Sequence, residues 1–344
     1  MVPDFWRSRR VLVTGHTGFK GGWLCTWLKS LGAVVTGYAL PAATTPSLFE
    51  AASVPEGMNS VLGDVRDATF LRSVLEQADP EIIFHMAAQP LVRASYADPA
   101  DTYSTNVMGT VNLLDAARHL GSVRAIVNVT SDKCYENREW VWGYRETESM
   151  GGYDPYSASK GCAELVTASF RRSFGLPLAS VRAGNVIGGG DWSTDRLVPD
   201  ILRSFEGGQP PQIRNPDAIR PWQHVVEPLR GYLSVAERVF AEPQVFAEAW
   251  NFGPRDEDCQ PVSRVLDGLA AAWGHGVGWV SQPGNHPHEA GYLRLDSSKA
   301  RSRLGWCPKT DLSVALDLTV AWHRAWMAGQ DMYSFTLKQI ENHG

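Results

Sequence analysis

The stretch Val11-Leu12-Val13-Thr14-Gly15-His16-Thr17-Gly18-Phe19-Lys20-Gly21 decides the fold. Its apolar start predicts a buried strand, and glycines at every third position follow directly. From residue 23 to residue 31, apolar residues recur at helical spacing. A glycine-rich turn between a strand and a helix lets the backbone approach an anion, and the free N–H groups of the helix N-terminus face a pyrophosphate. The stretch therefore predicts a dinucleotide-binding unit, with a glycine-rich turn that binds nothing as the alternative.

Strand and helix signals alternate through the rest of the first half. Residues 33–38, 82–84 and 125–129 predict strands, and residues 98–119 predict a long helix. Parallel strands need crossover helices, so this alternation predicts an α/β fold with a doubly wound parallel sheet of Rossmann type. After about residue 183, glycines and prolines divide the sequence into short pieces. We therefore predict a dinucleotide-binding domain over residues 1–183. A smaller mixed α/β substrate domain would follow over residues 184–344, with the chain able to cross back to the sheet.

Composition excludes several other classes of protein. The 344 residues carry a net charge of −5, which argues against a generally basic nucleic-acid binder. Five scattered cysteines without a Cys-x-x-Cys pair favour reduced thiols in the cytoplasm over a disulfide framework or a zinc site. We find no signal peptide and no membrane span of ~20 apolar residues. The sequence His286-Pro287-His288-Glu289 lacks a rigid scaffold, so we expect no metal there.

The segment Tyr156-Ser157-Ala158-Ser159-Lys160 carries the candidate base. Residues four apart share a helical face, so the phenol of Tyr156 and the ammonium of Lys160 point to the same place. A nearby cation favours phenolate and lowers the pKa of a tyrosine. Such pairs are common on helix surfaces. The glycine-rich loop and the strand that ends at Thr130-Ser131 make the catalytic interpretation the better one here.

Three polar residues, Ser131, Asp132 and Lys133, follow the strand over residues 125–129. Ligands of open α/β sheets bind at the carboxyl ends of the strands. Ser131 is therefore expected to hydrogen-bond a sugar hydroxyl beside Tyr156. Oxidation of an alcohol leaves Asp132 and Lys133 unused, whereas elimination of water needs a further acid and base. A strand-end ion pair or turn is the alternative.

The sequence determines the nucleotide only weakly. Gly37-Tyr38-Ala39-Leu40, at the end of the second strand, offers no carboxylate for ribose hydroxyls and no arginine for a 2′-phosphate. The absence of a cation favours NAD. Asp64 follows the third strand, where it either accepts a hydrogen bond from the adenine amine or caps a helix that starts near Arg66.

Longer motifs resemble the nucleotide-sugar 4,6-dehydratases, which are extended short-chain dehydrogenases/reductases. They are Thr130-Ser131-Asp132-Lys133-Cys134-Tyr135-Glu136-Asn137, Trp142-Gly143-Tyr144-Arg145-Glu146, Asp154-Pro155-Tyr156-Ser157-Ala158-Ser159-Lys160, Arg182-Ala183-Gly184-Asn185-Val186-Ile187-Gly188-Gly189-Gly190-Asp191-Trp192 and Arg220-Pro221-Trp222-Gln223-His224-Val225. Within that family the resemblance is strongest to the members that act on CDP-glucose. Relatives that act on dTDP- or GDP-sugars usually carry Glu where this chain has Lys133.

The resemblance implies a redox-neutral reaction in three steps. Tyr156, assisted by Lys160, takes the C4 hydroxyl proton as a hydride passes from C4 to NAD, and the new ketone acidifies the C5 proton. Lys133 removes that proton and Asp132 protonates the leaving C6 hydroxyl, although exchange of these two roles stays open. Hydride then returns to C6, which gives CDP-4-dehydro-6-deoxyglucose. A lysine base must be neutral, against a reference pKa of about 10.4, so burial would have to lower its pKa.

The resemblance also implies binding residues and self-association. The predicted cofactor contacts, besides Tyr156 and Lys160, are Gly15, Thr17, Gly18, Phe19, Gly21, Asp64, Val65, Ala87 and Ala88. The predicted substrate contacts are Gln89, Arg93, Asn185, Arg196, Arg220 and Tyr292, with Trp192 as a further candidate for the pyrimidine. Arg220 is preferred for the pyrophosphate because guanidinium binds phosphate in bidentate fashion, although surface ion pairs are the alternative for each arginine.

Rival functions remain at this point. A 4-epimerase or a reductase of the same fold would share Tyr156 and Lys160 but would have no use for Asp132 and Lys133. A non-catalytic dinucleotide-binding regulator would keep the glycine-rich loop without needing Tyr156. In the extended family, the helices around residues 98–119 and 154–174 form a dimerising four-helix bundle, so we expect a homodimer or a tetramer built from dimers.

Overall fold

A parallel sheet forms the centre of the molecule. The computed structural model describes residues 4–274, 278–281 and 291–344. Within these residues, seven strands form one sheet in the order β10-β6-β5-β4-β1-β2-β3, and each neighbouring pair is parallel. The strands are β1 (Arg10–Thr14), β2 (Val34–Ala39), β3 (Asn59–Leu62), β4 (Ile82–His85), β5 (Ala125–Val129), β6 (Leu178–Ala183) and β10 (Ala249–Phe252). The predicted Rossmann-type fold is confirmed.

Helices cover both faces of this sheet, as parallel strands require. In β1, Val11 and Val13 pack into the core on one face with Trp23, whereas Leu12 packs on the other face with Leu71. The helices of the first half are α1 (Phe19–Ser30), α2 (Leu48–Ala51), α3 (Ala68–Ala78), α4 (Val92–Ala97), α5 (Pro99–Tyr103), α6 (Gly109–Ala117) and α7 (Pro155–Phe174). Buried apolar side chains on both faces fix the sheet, so the loops at its carboxyl edge have a rigid support.

The helix predicted over residues 98–119 is not a uniform α-helix. Residues 104–108 form a π-helical turn between α5 and α6. The side chain of Asn106 in this turn accepts a hydrogen bond from Gln89 N (2.8 Å) and donates to Ser159 Oγ (2.8 Å). The wider turn thus brings a buried amide between two neighbouring segments. Hydrophobic spacing carries no signal for such a local change of helix type.

After β6 the chain leaves the sheet, builds a second layer and then returns. The strands of this part are β7 (Asn185–Ile187), β8 (Gln212–Ile213), β9 (Ile219–His224), β11 (Cys259–Pro261) and β12 (Val280–Ser281). Strands β11, β9 and β7 form a three-stranded sheet, and β12 pairs with β8. The helices are α8 (Leu197–Glu206), α9 (Val226–Ala241), α10 (Pro243–Phe246), α11 (Val262–Trp273), α12 (Ser298–Leu304), α13 (Leu312–Met327) and α14 (Met332–His343).

Two elements of this second part contact the central sheet directly. Strand β10 pairs with β6 and forms one edge of the sheet, while α9 packs against β5 and β6. The carboxyl ends of the central strands face β7, β9 and α8 of the second layer across a cleft. Of the described helices, none has the length and apolar character that a membrane crossing requires.

Candidate active site

The glycine-rich loop after β1 permits a close backbone approach that side chains would prevent. Gly15 has a φ of +78°, and a Cβ there would lie 2.8 Å from Ala87 N. A Cβ on Gly21 would lie 2.1 Å from Gly15 O. Helix α1 begins at Phe19, and Gly18 before it provides no side-chain cap. The loop thus leaves the helix N-terminus open, as an anion site requires.

A cavity of about 1130 Å³ opens beside this loop at the carboxyl ends of the central strands. The second layer forms its opposite wall. The structure brings most of the predicted site residues to this one cavity: Gly15, Thr17, Gly18, Phe19, Gly21, Asp64, Val65, Ala87, Ala88, Arg93, Ser131, Asp132, Lys133, Tyr156, Lys160, Asn185, Arg196 and Arg220. Its volume and its position at the strand ends are typical of a cofactor and substrate site.

Three candidates are not among the described residues that line the cavity. The side chain of Gln89 folds back onto Leu91, donating to its carbonyl (3.0 Å) and accepting from its N–H (2.6 Å). Tyr292 accepts a hydrogen bond from Arg294 (2.9 Å) outside the cavity wall. Trp192 is buried against Trp322 and Trp326. Gln89 and Tyr292 are thus hydrogen-bonded to residues two positions away, and Trp192 packs against α13. Sequence motifs do not show these contacts.

Helix α7 carries Tyr156 in its first turn and Lys160 in its second. Asp154 caps this helix by accepting from Ser157 N (2.9 Å), and Pro155 occupies the first helical position. Burial raises the pKa of Tyr156 to about 12, an effect that the Ser131 hydroxyl opposes. Burial lowers the pKa of Lys160 to about 8, and its ammonium donates to Val129 O (3.3 Å). Both groups therefore lie beside the end of β5.

Ser131, Asp132 and Lys133 form a tight turn directly after β5. The Ser131 hydroxyl donates to Asp132 Oδ1 (3.0 Å) and accepts from Lys133 N (3.2 Å). Asp132 is 3% exposed. Burial raises the pKa of its carboxyl, while the charge of Lys133 works in the opposite direction. A carboxyl group that tends to keep its proton next to a lysine is suited to acid and base chemistry.

A buried ion pair next to this turn holds it in place, and no sequence motif indicated that pair. Glu164 on α7 pairs with Arg182 on β6 (2.7 Å) and accepts from Thr130, the residue before Ser131. Arg182 also donates to Tyr135 OH (2.5 Å), just after the turn. The network therefore holds both ends of the segment that contains Ser131, Asp132 and Lys133. The available signal was an arginine at the end of the mostly apolar segment over residues 176–183.

Lys20 is a further cavity residue to which the sequence analysis gave no role. Burial lowers its pKa to about 7, and the charges of Arg196 and Lys160 act in the same direction. Its neighbours are thus the cations of the second layer and of α7. The sequence places Lys20 next to the glycine-rich loop, but it does not predict which charged residues from distant segments lie near it.

Charged residues from both layers meet across the cleft. Arg93 on α4 pairs with Asp195 of the second layer (3.0 Å), and Arg196 pairs with Asp191 (3.2 Å). Asn185 begins β7, and Arg220 lies on the adjacent β9, where Asn185 is paired with Trp222. The four predicted polar contacts Arg93, Asn185, Arg196 and Arg220 thus reach the same cavity from separate segments.

Asp64 lies in the cavity wall, and the helix that follows is capped by another residue. Its carboxylate accepts from Arg66 N (2.8 Å) and pairs with the Arg66 guanidinium (2.5 Å). These hydrogen bonds lower the pKa of Asp64. Helix α3 begins at Ala68 and is capped by Asp67, whose side chain accepts from Phe70 N (2.9 Å). Asp64 is therefore not the cap of this helix.

The metal prediction concerns residues that the structure does not cover. The segment from His286 to Glu289 lies outside the described residues. Within the described residues, no group of three or more His, Cys, Asp or Glu side chains is arranged to hold a metal ion.

Comparisons with known proteins agree with this geometry. The chain is 57% identical to the CDP-glucose 4,6-dehydratase of Salmonella typhimurium, over 99% of this chain and 97% of that protein. The solved dTDP-glucose 4,6-dehydratase of Streptomyces venezuelae, with NAD bound, superposes with a TM-score of 0.80 at 24% identity, covering 94% of this chain and 99% of that chain. The UDP-glucose 4-epimerase of Thermus thermophilus, in complex with NAD, gives 0.81 at 26% identity, covering 91% and 98% respectively.

A family model matches most of the chain. The model described as GDP-mannose 4,6 dehydratase matches residues 12–256. The matched span contains the glycine-rich loop, the turn after β5, the helix of Tyr156 and Lys160, and the strand of Arg220. Since these segments together build the cavity, the chain belongs to the GDP-mannose 4,6 dehydratase family.

Proposed function

We propose that this chain is an NAD-dependent CDP-glucose 4,6-dehydratase, which converts CDP-D-glucose to CDP-4-dehydro-6-deoxy-D-glucose with loss of water. One observation carries the proposal. The pair Tyr156 and Lys160 and the pair Asp132 and Lys133 line the same cavity. A 4-epimerase needs only the first pair. The high identity to a CDP-glucose 4,6-dehydratase over nearly the whole chain supports the same choice.

The residues of the loop fit a bound dinucleotide. The absence of a Cβ at Gly15 and Gly21 lets the loop, the start of α1 and the segment after β4 pack closely together, and the open N-terminus of α1 favours a pyrophosphate. Gly15, Gly18 and Gly21 would hold it there, with Asp64 on the adenosine side and Lys160 near the nicotinamide ribose. When bound, NAD accepts two electrons from the sugar and returns them within one turnover, so none are consumed.

Tyr156 serves as the base for the C4 hydroxyl. Its phenolate takes the hydroxyl proton, and Ser131, which lies against the phenol, orients the same hydroxyl. The ammonium of Lys160 stabilises the phenolate electrostatically. The resulting C4 ketone makes the proton on C5 acidic, which prepares the sugar for elimination.

Asp132 and Lys133 carry out the elimination. Neutral Lys133 removes the C5 proton, and the C6–O bond breaks as Asp132 transfers its proton to the departing oxygen, so one molecule of water leaves. Because Asp132 is buried and its pKa is raised, it can keep the proton that this step requires. Lys133 later returns its proton to C5, so its own protonation state is restored at the end of the reaction.

Arginines of the cleft bind the nucleotide part of the substrate. Arg196 and Arg220 offer guanidinium groups for the pyrophosphate, and Arg93 and Asn185 supply further donors from opposite walls. Asp195 and Asp191, which now pair with Arg93 and Arg196, can release these cations when phosphate oxygens compete for them. We further propose that the chain acts in the cytoplasm as a homodimer.

A mass measurement tests the proposed activity. The purified protein is mixed with CDP-glucose, with and without added NAD, and the sugar nucleotide is weighed. Dehydration gives a product lighter by one water, whereas an isomer of unchanged mass would indicate an epimerase, and no conversion would indicate a regulator. Asp132→Asn and Lys133→Met should stop water loss but leave the reduced cofactor detectable. Normal turnover by either variant would remove its residue from the acid and base pair.

A further inference from the structure

Two buried polar atoms lie behind the catalytic turn without partners. Asp132 lines the cavity, yet its Oδ2 is closed to water and has no hydrogen-bond partner among the described residues. The hydroxyl of Tyr232 on α9 is in the same condition, and the residue as a whole is 0% exposed. Because Oδ1 of Asp132 is held by Ser131 at the cavity wall, Oδ2 is turned into the protein.

Such atoms are costly to bury. An unsatisfied carboxylate oxygen or hydroxyl loses its hydration on folding without gaining a hydrogen bond, and this loss destabilises the fold, more so for a charged group than for a neutral one. Native proteins therefore pair nearly all of them with a protein group or an ordered water. The hydroxyl of Tyr232 can donate a hydrogen bond and Oδ2 of Asp132 can accept one, so a single interaction could satisfy both atoms.

The packing of α9 places Tyr232 on the side of the sheet where Asp132 lies. Helix α9 packs against β5, whose end leads into the turn of Asp132, and against β9. Besides burial, the charges of Asp132 and Tyr156 are the ones that reach the Tyr232 hydroxyl and raise its pKa. The ring of Tyr232 packs edge-on against Phe252 (5.9 Å between centroids).

A third orphan lies in the same neighbourhood. Gln223 on β9 donates through Nε2 to the carbonyl of Phe252 (2.8 Å), but its Oε1 has no partner among the described residues. Gln223 and Tyr232 both contact Phe252, and one hydroxyl donor with two acceptor oxygens is a set of partners that a single buried water can satisfy. The contact between Tyr232 and Asp132 can therefore be direct or run through one water that also binds Gln223.

We propose that Tyr232 is a positioning residue for Asp132, and that its hydroxyl donates a hydrogen bond to Oδ2 so that Oδ1 stays directed at the sugar beside Ser131. The inference rests on the proposed function, in which Asp132 gives its proton to the leaving C6 oxygen. When Asp132 loses that proton, the hydrogen bond from Tyr232 stabilises the carboxylate that forms. The hydroxyl would thus accelerate the elimination and have no part in the oxidation at C4.

The variant Tyr232→Phe tests this role, since it keeps the buried ring and removes only the hydroxyl. In single-turnover experiments the reduced cofactor should form at the normal rate, while water loss should slow by roughly 10- to 100-fold, the worth of a hydrogen bond to a charged group. Without the donor, the carboxyl keeps its proton to higher pH. The alkaline limb of the elimination rate should therefore move up by about one to two pH units.

A matched control removes a buried hydroxyl elsewhere. Tyr144→Phe loses hydrogen bonds to Asn137 and Arg138 but keeps its ring stacked on Tyr135 in the apolar cluster that follows the catalytic turn, so it should leave the pH profile of elimination unchanged. If Tyr232→Phe has the wild-type profile, or if it slows the oxidation and the elimination equally, the positioning role is wrong. Conversion of CDP-glucose by the wild type in the same assay separates this failure from a failure of the proposed function.

Thermal unfolding gives a second test that needs no substrate. If Tyr232 pairs with Asp132, Tyr232→Phe should lower the melting temperature in the wild type but have little effect in an Asp132→Ala background. If the hydroxyl is idle, its removal relieves an unsatisfied buried group, and the melting temperature should stay unchanged or rise in both backgrounds. The second result would overturn the proposal.

Discussion

Tyr156 and Lys160 shift their pKa values in opposite directions because burial disfavours the charged form of each. The pKa of the phenol rises to about 12 and that of the ammonium falls to about 8. Phenolate becomes more abundant as pH rises, but the cation that stabilises it is lost above about pH 8. The rate of the first oxidation should therefore rise with pH and then level or fall near pH 8.

Replacement of Lys160 tests this interplay. In Lys160→Met the neighbouring cation is absent at every pH, so the oxidation should slow by about 100-fold or more, and the change of slope near pH 8 should disappear. Stopped-flow absorbance of the reduced cofactor measures both effects. Tyr156→Phe, which lacks the base altogether, provides the lower limit. A Lys160→Met variant that keeps the wild-type profile would exclude Lys160 from this role.

Local chemistry made the centre of the site predictable, whereas residues that depend on distant neighbours were missed. Tyr156 and Lys160 are one helical turn apart, and Ser131 follows a strand, so spacing alone brought them together. The family resemblance implied Gln89 as a substrate contact, but its side-chain amide is hydrogen-bonded to the backbone of Leu91. Glu164, the partner of Arg182, lies on another element, and no local sequence pattern predicts such a contact.

At the scale of elements, the pair of Glu164 and Arg182 joins α7 to β6 beneath the active-site turn. The pair is almost fully buried. Although burial alone would raise the pKa of Glu164, its pairing with Arg182 and its hydrogen bonds hold that pKa below the ordinary value. The carboxylate therefore contributes stability above the unfolded pKa of about 4.3, and the contribution is lost as pH falls below it.

Arg182→Met should destabilise the protein strongly, because it leaves the Glu164 charge buried without its partner. We expect a loss of about 3–5 kcal/mol in the free energy of unfolding near neutral pH, measured by urea denaturation. As pH falls through the lowered pKa of Glu164, the difference between the wild type and the variant should shrink, since Glu164 is then protonated in both. Arg7→Met, in an ion pair with both side chains 75% exposed, is the control that should change little. Equal stabilities of wild type and Arg182→Met at pH 7 would contradict this account.

The glycine-rich loop yields a second prediction at this scale. In Gly21→Ala the new Cβ would lie 2.1 Å from the carbonyl oxygen of Gly15, so the loop must shift away from α1. Affinity for NAD, measured by calorimetric titration, should fall by at least about tenfold, equivalent to 1.4 kcal/mol. Gly121→Ala places its Cβ in open space and should bind NAD as the wild type does. Wild-type affinity in Gly21→Ala would show that the loop does not cradle the cofactor.

Periodicity predicted the elements well where burial is uniform along them. The strands predicted over residues 82–84 and 125–129 are confirmed as β4 and β5. The π-helical turn at residues 104–108 was not predicted, since it serves the side chain of Asn106 and leaves the apolar spacing intact. Sheet order was likewise beyond periodicity, because the return of β10 to the sheet depends on contacts between distant segments.

At the scale of the whole molecule, exposed apolar side chains lie on neighbouring elements, on the surface through which we expect a second copy to bind. Met108 in the π-helical turn is 51% exposed and Leu165 on α7 is 61% exposed. The turn packs beside α7, and Tyr103 of α5 is exposed next to it. Such a group of large apolar side chains is unfavourable in water unless a partner covers it. These helices are also the ones that the family resemblance assigns to the dimer.

Charges placed in this surface should separate the dimer, because an arginine buried against the partner's apolar side chains would be desolvated without an ion partner. We expect light scattering to give twice 37.8 kDa for the wild type and 37.8 kDa for the double variant Met108→Arg, Leu165→Arg. Val245→Arg introduces the same charge at an exposed apolar position on α10 and should remain dimeric. A wild-type particle of 37.8 kDa, or a double variant that keeps the wild-type mass, would show that the copies do not meet through α7. Since α7 also carries Tyr156 and Lys160, separation of the copies should lower turnover as well, by loosening the helix that positions the base.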